Sequence, residues 1–467
     1  MPGFFNVPIR RQQILLFVVD LGLLLLSLML AFVIARFAKF NVLFVLDRFT
    51  VACLIYFGVH GLVFFVGQLY DVESRRQEMR SFLYVGSLVL AANLIIGMLY
   101  YFLPSYRIPR RVMAIQAPLT VALIYGWRRA YTTVSRGLMS ARRVLIVGAN
   151  QTVASLVDDL RAGYAPEFAI TGIIDDDAQK EGQGYGGVPV LGGTSRIGEL
   201  VAREKVDIIV FSPGYQAAAN GHTVRNVLEL KARGVKVYEL ATFYKRVTGK
   251  VPVRYIEDQW LLFSQDFAGI ARADTRALKR LMDIMVAASA LAILAPLMLA
   301  LAVLVKLTSR GPVLYRQERV GLDKRTYSLL KFRTMRVDAE VAGQPVWASY
   351  NDARVTPVGR FMRRLRLDEI PQFINVVRGE MSIIGPRPER PYFVERLERE
   401  IPYYGLRFAA KPGLTGWAQV NYRYGASEDD AHTKLQYDLF YIQEMSAFLD
   451  LVILLKTFQT VLFRPGY

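Results

Sequence analysis

A single cysteine, Cys53, is all that the chain contains, and it lies in an apolar run, so no intrachain disulfide can form. Acidic residues are scarce: 40 Asp and Glu stand against 58 Lys and Arg, leaving a formal charge of +18. Such an excess suits phosphate-bearing partners, whether nucleic acid, anionic lipid or phosphorylated substrates. Nucleic acid is disfavoured, because zinc-finger, helix-turn-helix and RNA-binding signatures are missing and the basic residues sit beside apolar runs. The first apolar run is too long for a cleavable signal and lacks a small-residue cleavage site after it, so it is expected to persist as an anchor.

Apolar surface is what the chain has in quantity. Hydrophobic residues make up 53% of its 467 positions and the mean hydropathy is +0.25, a balance that long apolar runs produce and soluble enzymes of this size seldom show. The length suggests two or three folded units. Apolar stretches at residues 14–37, 49–67, 82–103 and, shorter, 112–127 predict an N-terminal four-helix transmembrane bundle within residues 1–130. Arg10, Arg11, Arg75, Arg76, Arg80, Arg128, Arg129, Arg136, Arg142 and Arg143 place both ends of that bundle in the cytoplasm, with Arg107, Arg110 and Arg111 as a contrary cluster. Asp20 and His60 fall inside predicted helices, where ionisable groups are costly, and buried structural roles are favoured over functional ones.

From Arg143 the pattern changes. Short β-branched runs at 144–147, 170–174, 207–211 and 235–240 alternate with helical segments and predict a Rossmann-like α/β cytoplasmic domain over residues 143–260. Its first turn, Gly148-Ala149-Asn150, lacks the full Gly-x-Gly-x-x-Gly, and Asp175, Asp176 and Asp177 read either as ribose-binding acids or as an exposed acidic turn. A further apolar block, residues 284–305, is flanked by Arg276, Lys279 and Arg280 before it and Lys306 and Arg310 after it. It could span about 33 Å as a straight helix, but Pro296 at its middle removes a backbone donor and bends it. A full crossing and a re-entrant helix with both ends on one side are both open from length alone.

Chemistry concentrates beyond Lys306. Asp368 and Glu369 are adjacent within Arg363-Arg364-Leu365-Arg366-Leu367-Asp368-Glu369-Ile370-Pro371-Gln372. An Asp among cations is expected to have its pKa lowered, and the cations can bind a diphosphate. A carboxylate can attack phosphorus, and a neighbouring one can help hold Mg²⁺, which prefers oxygen ligands and phosphates. For the Asp-Glu pair alone, a solvated helix surface would explain as much. The pair is accompanied upstream by Gly311-Pro312-Val313-Leu314-Tyr315-Arg316-Gln317-Glu318-Arg319-Val320-Gly321 and Lys331-Phe332-Arg333-Thr334-Met335. Downstream come Met381-Ser382-Ile383-Ile384-Gly385-Pro386-Arg387-Pro388-Glu389 and Lys411-Pro412-Gly413-Leu414-Thr415-Gly416-Trp417-Ala418-Gln419-Val420.

This series, in this order, resembles the bacterial sugar transferase family, the monotopic polyprenyl-phosphate phosphoglycosyl transferases. The likeness covers about residues 276–467 and implies a C-terminal monotopic α/β catalytic domain with a re-entrant helix at 284–305. It implies transfer of a hexose-1-phosphate from a UDP-sugar to undecaprenyl phosphate with release of UMP, at the start of an exopolysaccharide, capsule or O-antigen. By the same likeness Asp368 is the nucleophile, Glu369 with Asp368 holds Mg²⁺, and Lys331, Arg333, Arg363 and Arg387 are candidate phosphate clamps. It further implies a bacterial inner-membrane enzyme facing the cytoplasm among inner-leaflet lipids, with a homodimer as the expected assembly. In the family a Ser usually precedes the bend proline, whereas here Ala295 precedes Pro296, so the bend relies on the ring and on packing.

Two other readings fit parts of the chain. A membrane-anchored NAD-dependent dehydratase or epimerase would need a catalytic Tyr-x-x-x-Lys, and between Arg143 and Phe263 no tyrosine has a lysine four residues on. Tyr327 and Lys331 have that spacing, but in a segment read as a strand outside the Rossmann-like unit. A membrane scaffold would not require the Asp-Glu pair.

Overall fold

A computed structural model describes residues 11–35, 46–67, 69–70, 78–138, 141–159, 168–213, 221–256, 273–336, 354–422 and 427–463. Arg10, Arg75 and Arg76 of the orientation argument lie outside the described residues. The chain divides into two compact units, residues 9–140 and the remainder.

In the first unit, α1 (Arg11–Ile34), α2 (Leu46–Val66), α3 (Glu78–Phe102) and α4 (Arg110–Leu138) share one apolar cluster that includes Leu24, Leu28, Tyr56, Phe64, Ile96 and Ile124. Residues 14–34 of α1 and 82–102 of α3 are long and apolar enough to cross a membrane; the apolar part of α2, Thr50–Val66, is shorter, and α4 is not of that kind. Three polar groups of α4 turn inward. Gln116 and Thr120 are buried beside Tyr56, Thr120 meets Ser27 at 2.7 Å, and Arg128 pairs with Asp20 at 2.6 Å. His60 Nδ1 lies 3.0 Å from the Tyr56 carbonyl. Asp20 and His60 are thus fully buried, each with one polar atom paired within the bundle and one, Asp20 Oδ1 and His60 Nε2, without a hydrogen-bond partner among the described residues.

The second unit opens with a four-stranded parallel sheet. β1 (Arg142–Val147) lies between β2 (Phe168–Ile174) and β5 (Ile208–Phe211), with β6 (Lys236–Glu239) at the far edge; β3 (Gly184–Tyr185) and β4 (Val188–Pro189) form a small antiparallel pair. Alternate residues of β1 face opposite sides, as strand geometry requires. Val144 and Ile146 pack under α5 (Gln151–Asp159) and α8 (Leu240–Thr248), whereas Leu145 and Val147 pack under α6 (Ile197–Arg203) and α7 (Gly221–Ala232). Both faces of the inner strands are covered, which is why Val144–Val147 and β5 read as unbroken apolar runs.

The turn after β1 is already occupied by the protein itself. Asp175 Oδ2 accepts the Ala149 amide at 2.7 Å, and Lys180 bridges Asp175 and the Ala149 carbonyl. Asp176 accepts from the amide and hydroxyl of Thr194. Two of the three acids therefore hold loops together.

Next comes α9 (Ala273–Thr308), a continuous helix carrying Pro296, of which residues 276–308 are long and apolar enough to cross a membrane. The hairpin β7 (Leu314–Val320) and β8 (Thr326–Phe332) follows, then α10 (Pro357–Arg364), α11 (Gln372–Arg378), β9 (Ser382–Ile384), α12 (Pro391–Glu400), β10 (Gly413–Thr415), α13 (Trp417–Asn421), α14 (Glu428–Glu444) and α15 (Ala447–Phe463). Thr356 caps α10 by accepting the Gly359 amide, and Ser427 with Asp430 forms a capping box on α14, each satisfying first-turn amides that have no partner in the helix. The chain is a membrane protein with α/β domains.

The end of the parallel-sheet region grips this second α/β part. Trp417 Nε1 donates to the Gly249 carbonyl at 2.9 Å, the Val251 amide to the Gln436 carbonyl at 3.0 Å, and Lys245 pairs with Glu444 at 3.0 Å. Lys245 and Glu444 are about nine-tenths buried, so removing Lys245 would leave the Glu444 carboxylate without this counter-charge at a cost of about 3–5 kcal/mol. The solvent-facing Arg254–Asp429 pair contributes at most about 1 kcal/mol. It is the inner contact that fastens the two parts.

Candidate active site

The carboxylate pair sits in a short turn between α10 and α11. Arg366 adopts a left-handed backbone, φ 56°, and a single 3-10 turn, Leu367–Glu369, follows it. A left-handed residue that is not glycine is uncommon, and here it reverses the chain so that two consecutive side chains enter the fold. Asp368 is 8% exposed. Behind the turn, the fully buried Asn375 of α11 accepts the Leu330 amide at 3.0 Å and donates to the Ser328 carbonyl at 2.8 Å. Its amide thereby extends the edge of β8 and fixes the turn against the strand that carries Lys331.

Glu369 is surrounded by cations. Its Oε1 accepts from Lys331 at 3.1 Å and from Arg387 at 3.0 Å, and its Oε2 lies 3.9 Å from Arg366. Burial pushes the Glu369 carboxyl up, but Lys331, Arg387 and Arg366 outweigh it and hold the group far below the usual carboxylate range. Lys331 is lowered by burial, against the pull of Glu369.

Asp368 behaves oppositely. Burial first, then the charge of Glu369, raise its pKa, with Lys331 and Arg363 opposing. The expectation that surrounding cations lower Asp368 is corrected: the cations are paired with its neighbour, and among the described residues Asp368 forms no ion pair. What results is a buried, comparatively basic carboxylate beside a fixed anion and a bank of cations, which suits attack on an electrophile with negative oxygens.

Arg387 comes from a loop made rigid by close backbone packing. β9 and β10 run parallel, pairing Ser382 with Gly413 and Ile384 with Thr415. A Cβ on Gly385 would lie 2.2 Å from the Lys411 carbonyl, and one on Gly413 2.1 Å from the Gly385 nitrogen. No side chain fits between them.

The model of the bacterial sugar transferase family matches residues 274–464, and that of a CoA-binding domain matches residues 66–238. A UDP-galactose-lipid carrier transferase of Erwinia amylovora is 30% identical over 387 residues, 78% of this chain and 77% of that protein. The chain belongs to the bacterial sugar transferase family. A UDP-N-acetylgalactosamine-undecaprenyl-phosphate N-acetylgalactosaminephosphotransferase of Aeromonas hydrophila is 43% identical over 49% of this chain and 52% of its own length. A UDP-glucose:undecaprenyl-phosphate glucose-1-phosphate transferase of Escherichia coli (strain K12) is 42% identical over 41% and 42%. The chain thus spans about half the length, or less, of these two relatives.

Within this bacterial sugar transferase, Lys331, Asp368, Glu369 and Arg387 come together. Arg363 donates to the Thr334 hydroxyl at 2.9 Å while its charge acts on Asp368. Arg366 was not among the candidates drawn from the sequence, and its position three residues before Glu369 in the quoted motif was the available signal. Arg333 stands apart: only 7% exposed, it donates to the Ser309 carbonyl at 2.9 Å, the Ser309 hydroxyl at 2.7 Å and the Pro312 carbonyl. Its guanidinium closes the C-terminal end of α9, so the phosphate-clamp expectation for Arg333 is corrected to a structural one.

Mg²⁺ requires a separate test of fit. Among the described residues no group of three His, Cys, Asp or Glu could hold a metal, which excludes a cage built of described side chains alone. Mg²⁺ ordinarily takes one or two carboxylates together with substrate phosphates; the site offers Asp368, which has no ion pair among the described residues, and beside it Glu369, whose Oε2 lies 3.9 Å from Arg366.

Arg333→Lys is expected to lower thermal stability by about 1–3 kcal/mol, because a single ammonium nitrogen cannot occupy the two positions from which the guanidinium fork reaches Pro312 and Ser309. An unchanged melting temperature would show that Arg333 does not hold the helix end.

Proposed function

We propose that the chain transfers a sugar phosphate from a UDP-sugar to undecaprenyl phosphate through a covalent intermediate on Asp368. The observation that carries this reading is the division of roles within the carboxylate pair, with Glu369 paired to cations and Asp368 buried and basic. The activities for which the relatives are named, transfer of glucose-1-phosphate or N-acetylgalactosamine phosphate to undecaprenyl phosphate, agree with it.

In the first step an Asp368 oxygen forms a bond to the β-phosphorus, and the bond from that phosphorus to the bridging oxygen breaks. UMP leaves with the bonding electrons. In the second, an oxygen of undecaprenyl phosphate bonds to the same phosphorus and the carboxylate is released. Lys331 and Arg387 bind the transferred phosphate, and Arg363 assists beside Asp368. Asp368 and Glu369 would hold Mg²⁺, which when bound neutralises diphosphate charge.

The site is taken to face the cytoplasm at the inner membrane, where UDP-sugars are found, with α1 to α4 as a membrane bundle. In this reading α9 enters the inner leaflet, bends at Pro296 and returns. Support comes from what its two halves touch. Arg280 donates to the carbonyls of Val376 and Val377, and Asp283 accepts from Ser382 and Ile383. Leu301 and Val305 share a cluster with Phe332, Met362 and Ile370. A straight helix would separate Arg280 from Val305 by about 38 Å. Ile370 and Val376 are joined by six residues of largely helical chain, about 9 Å at helical rise. Side-chain reach does not make up that difference.

Asp368→Asn is expected to abolish UMP release while the protein still folds and inserts; near-normal release would sink the assignment. Because attack needs the ionised carboxylate, kcat/KM should fall as pH drops through the raised Asp368 pKa. Glu369→Gln removes the adjacent negative charge, so that acid limb should move to lower pH and Mg²⁺ dependence should weaken. An unmoved limb with an unchanged Mg²⁺ titration would reject both roles of Glu369.

Topology is tested separately, with single cysteines at Ser309 and Ser427 in a Cys53→Ser background and a membrane-impermeant maleimide added to intact cells. Neither site should label. Labelling of either from outside would mean that α9 crosses.

A further inference from the structure

Four consecutive backbone carbonyls around Arg387 each accept a hydrogen bond from a different part of the fold. The Gly413 amide donates to Pro386, an Arg407 amino group to Arg387, an Arg319 amino group to Pro388 and the Val320 amide to Glu389, every one at 2.9 Å. Two of these donors are ordinary backbone amides. The other two are charged side chains directed at neutral carbonyls, which carries a desolvation penalty that a neutral donor would avoid.

Neither arginine is there by chance of a mobile surface. Arg407 is 5% exposed and is itself held by Asp438 at 2.8 Å and by the Tyr404 hydroxyl at 2.5 Å. Asp438, 2% exposed, anchors the arrangement on α14. Arg319 leaves β7 with its other amino group on Gln317 at 2.6 Å and pairs with Glu389 at 3.6 Å. One donor thus reaches the loop from the α14 side and the other from the hairpin.

The flanking prolines do only half of what is needed. A proline ring fixes its own φ and Pro388 biases Arg387 toward extended backbone, but ψ at Pro386 and the dihedrals of Arg387 within that broad region are left to the surroundings. Bonds to the carbonyls on either side of those torsions supply the missing restraint. We infer that Arg407 and Arg319 are positioning residues, which set the backbone so that the Arg387 guanidinium reaches Glu369 in the free protein and the transferred phosphate in the complex. This rests on the reading of Arg387 as a phosphate clamp.

A double-mutant cycle in the full chain tests the inference, following UMP release from UDP-glucose and from UDP-N-acetylgalactosamine with undecaprenyl phosphate. The cycle compares Arg387→Ala, Arg407→Lys and the two together. Lysine keeps the charge beside Asp438 but cannot reach Tyr404, Asp438 and the Arg387 carbonyl at once. Arg407→Lys alone should lower kcat/KM roughly tenfold, mainly through KM. Added to Arg387→Ala it should lower kcat/KM no further, because an effect exerted through Arg387 is lost with Arg387. Multiplied losses in the double variant, or a wild-type KM for Arg407→Lys when Arg387→Ala is impaired, would overturn the positioning role while the clamp stands. Wild-type kinetics for Arg387→Ala would overturn the clamp, and the positioning role with it. Should Arg407→Lys fail to fold, the same cycle with the partly exposed Arg319→Lys carries the same outcomes.

Discussion

The site depends on the pairing of Glu369 with three cations. Lys331, Arg387 and Arg366 approach one carboxylate from a strand, a loop and the turn itself, and this leaves its neighbour Asp368 without an ion pair among the described residues. Two adjacent acids with one sequence environment thereby acquire opposite tendencies, one held as an anion, the other pushed toward higher pKa by burial and by that anion. A diphosphate entering the site brings charge of the same sign as Glu369. It can therefore draw on cations already positioned, without a new arrangement of the backbone.

The surrounding fold makes that pairing possible by fixing each contributor to the others. Asn375 ties α11 to β8, so the turn with Asp368 and Glu369 cannot drift from Lys331. The interlocked glycines, Gly385 and Gly413, bring β9 and β10 close enough to hold the loop of Arg387. Arg333 closes the end of α9 beneath the same hairpin, linking the apolar helix to the strands that carry the charged groups. Rigid support of this kind is what preorganised charge requires.

Much of this was legible in the sequence, and the limits have physical causes. The inner strands of the parallel sheet announced themselves because both of their faces are buried, giving short apolar runs near their observed positions. The motifs marked Lys331, Asp368, Glu369 and Arg387 together. In a continuing strand Arg333 would share the face of Lys331, two residues before it. β8 ends at Phe332, so the alternation stops and Arg333 turns toward the helix end. Asp368 misled because a count of nearby cations does not say which carboxylate they face. That direction is set by the left-handed Arg366, and a backbone dihedral of a non-glycine residue leaves no mark in composition. Likewise, Asp175 was an ambiguous acid until the Ala149 amide appeared on its oxygen.

The central claim is that Asp368 becomes covalently bonded to the transferred phosphorus. Its most direct measurement is to mix the full-length protein with a UDP-sugar in the absence of undecaprenyl phosphate, quantify UMP at early times, and examine the Asp368-containing peptide by mass spectrometry. The account predicts a burst approaching one UMP per active chain, with a sugar phosphate added to that peptide and both lost in Asp368→Asn. UMP released only when the lipid acceptor is present, with an unmodified peptide throughout, would contradict it.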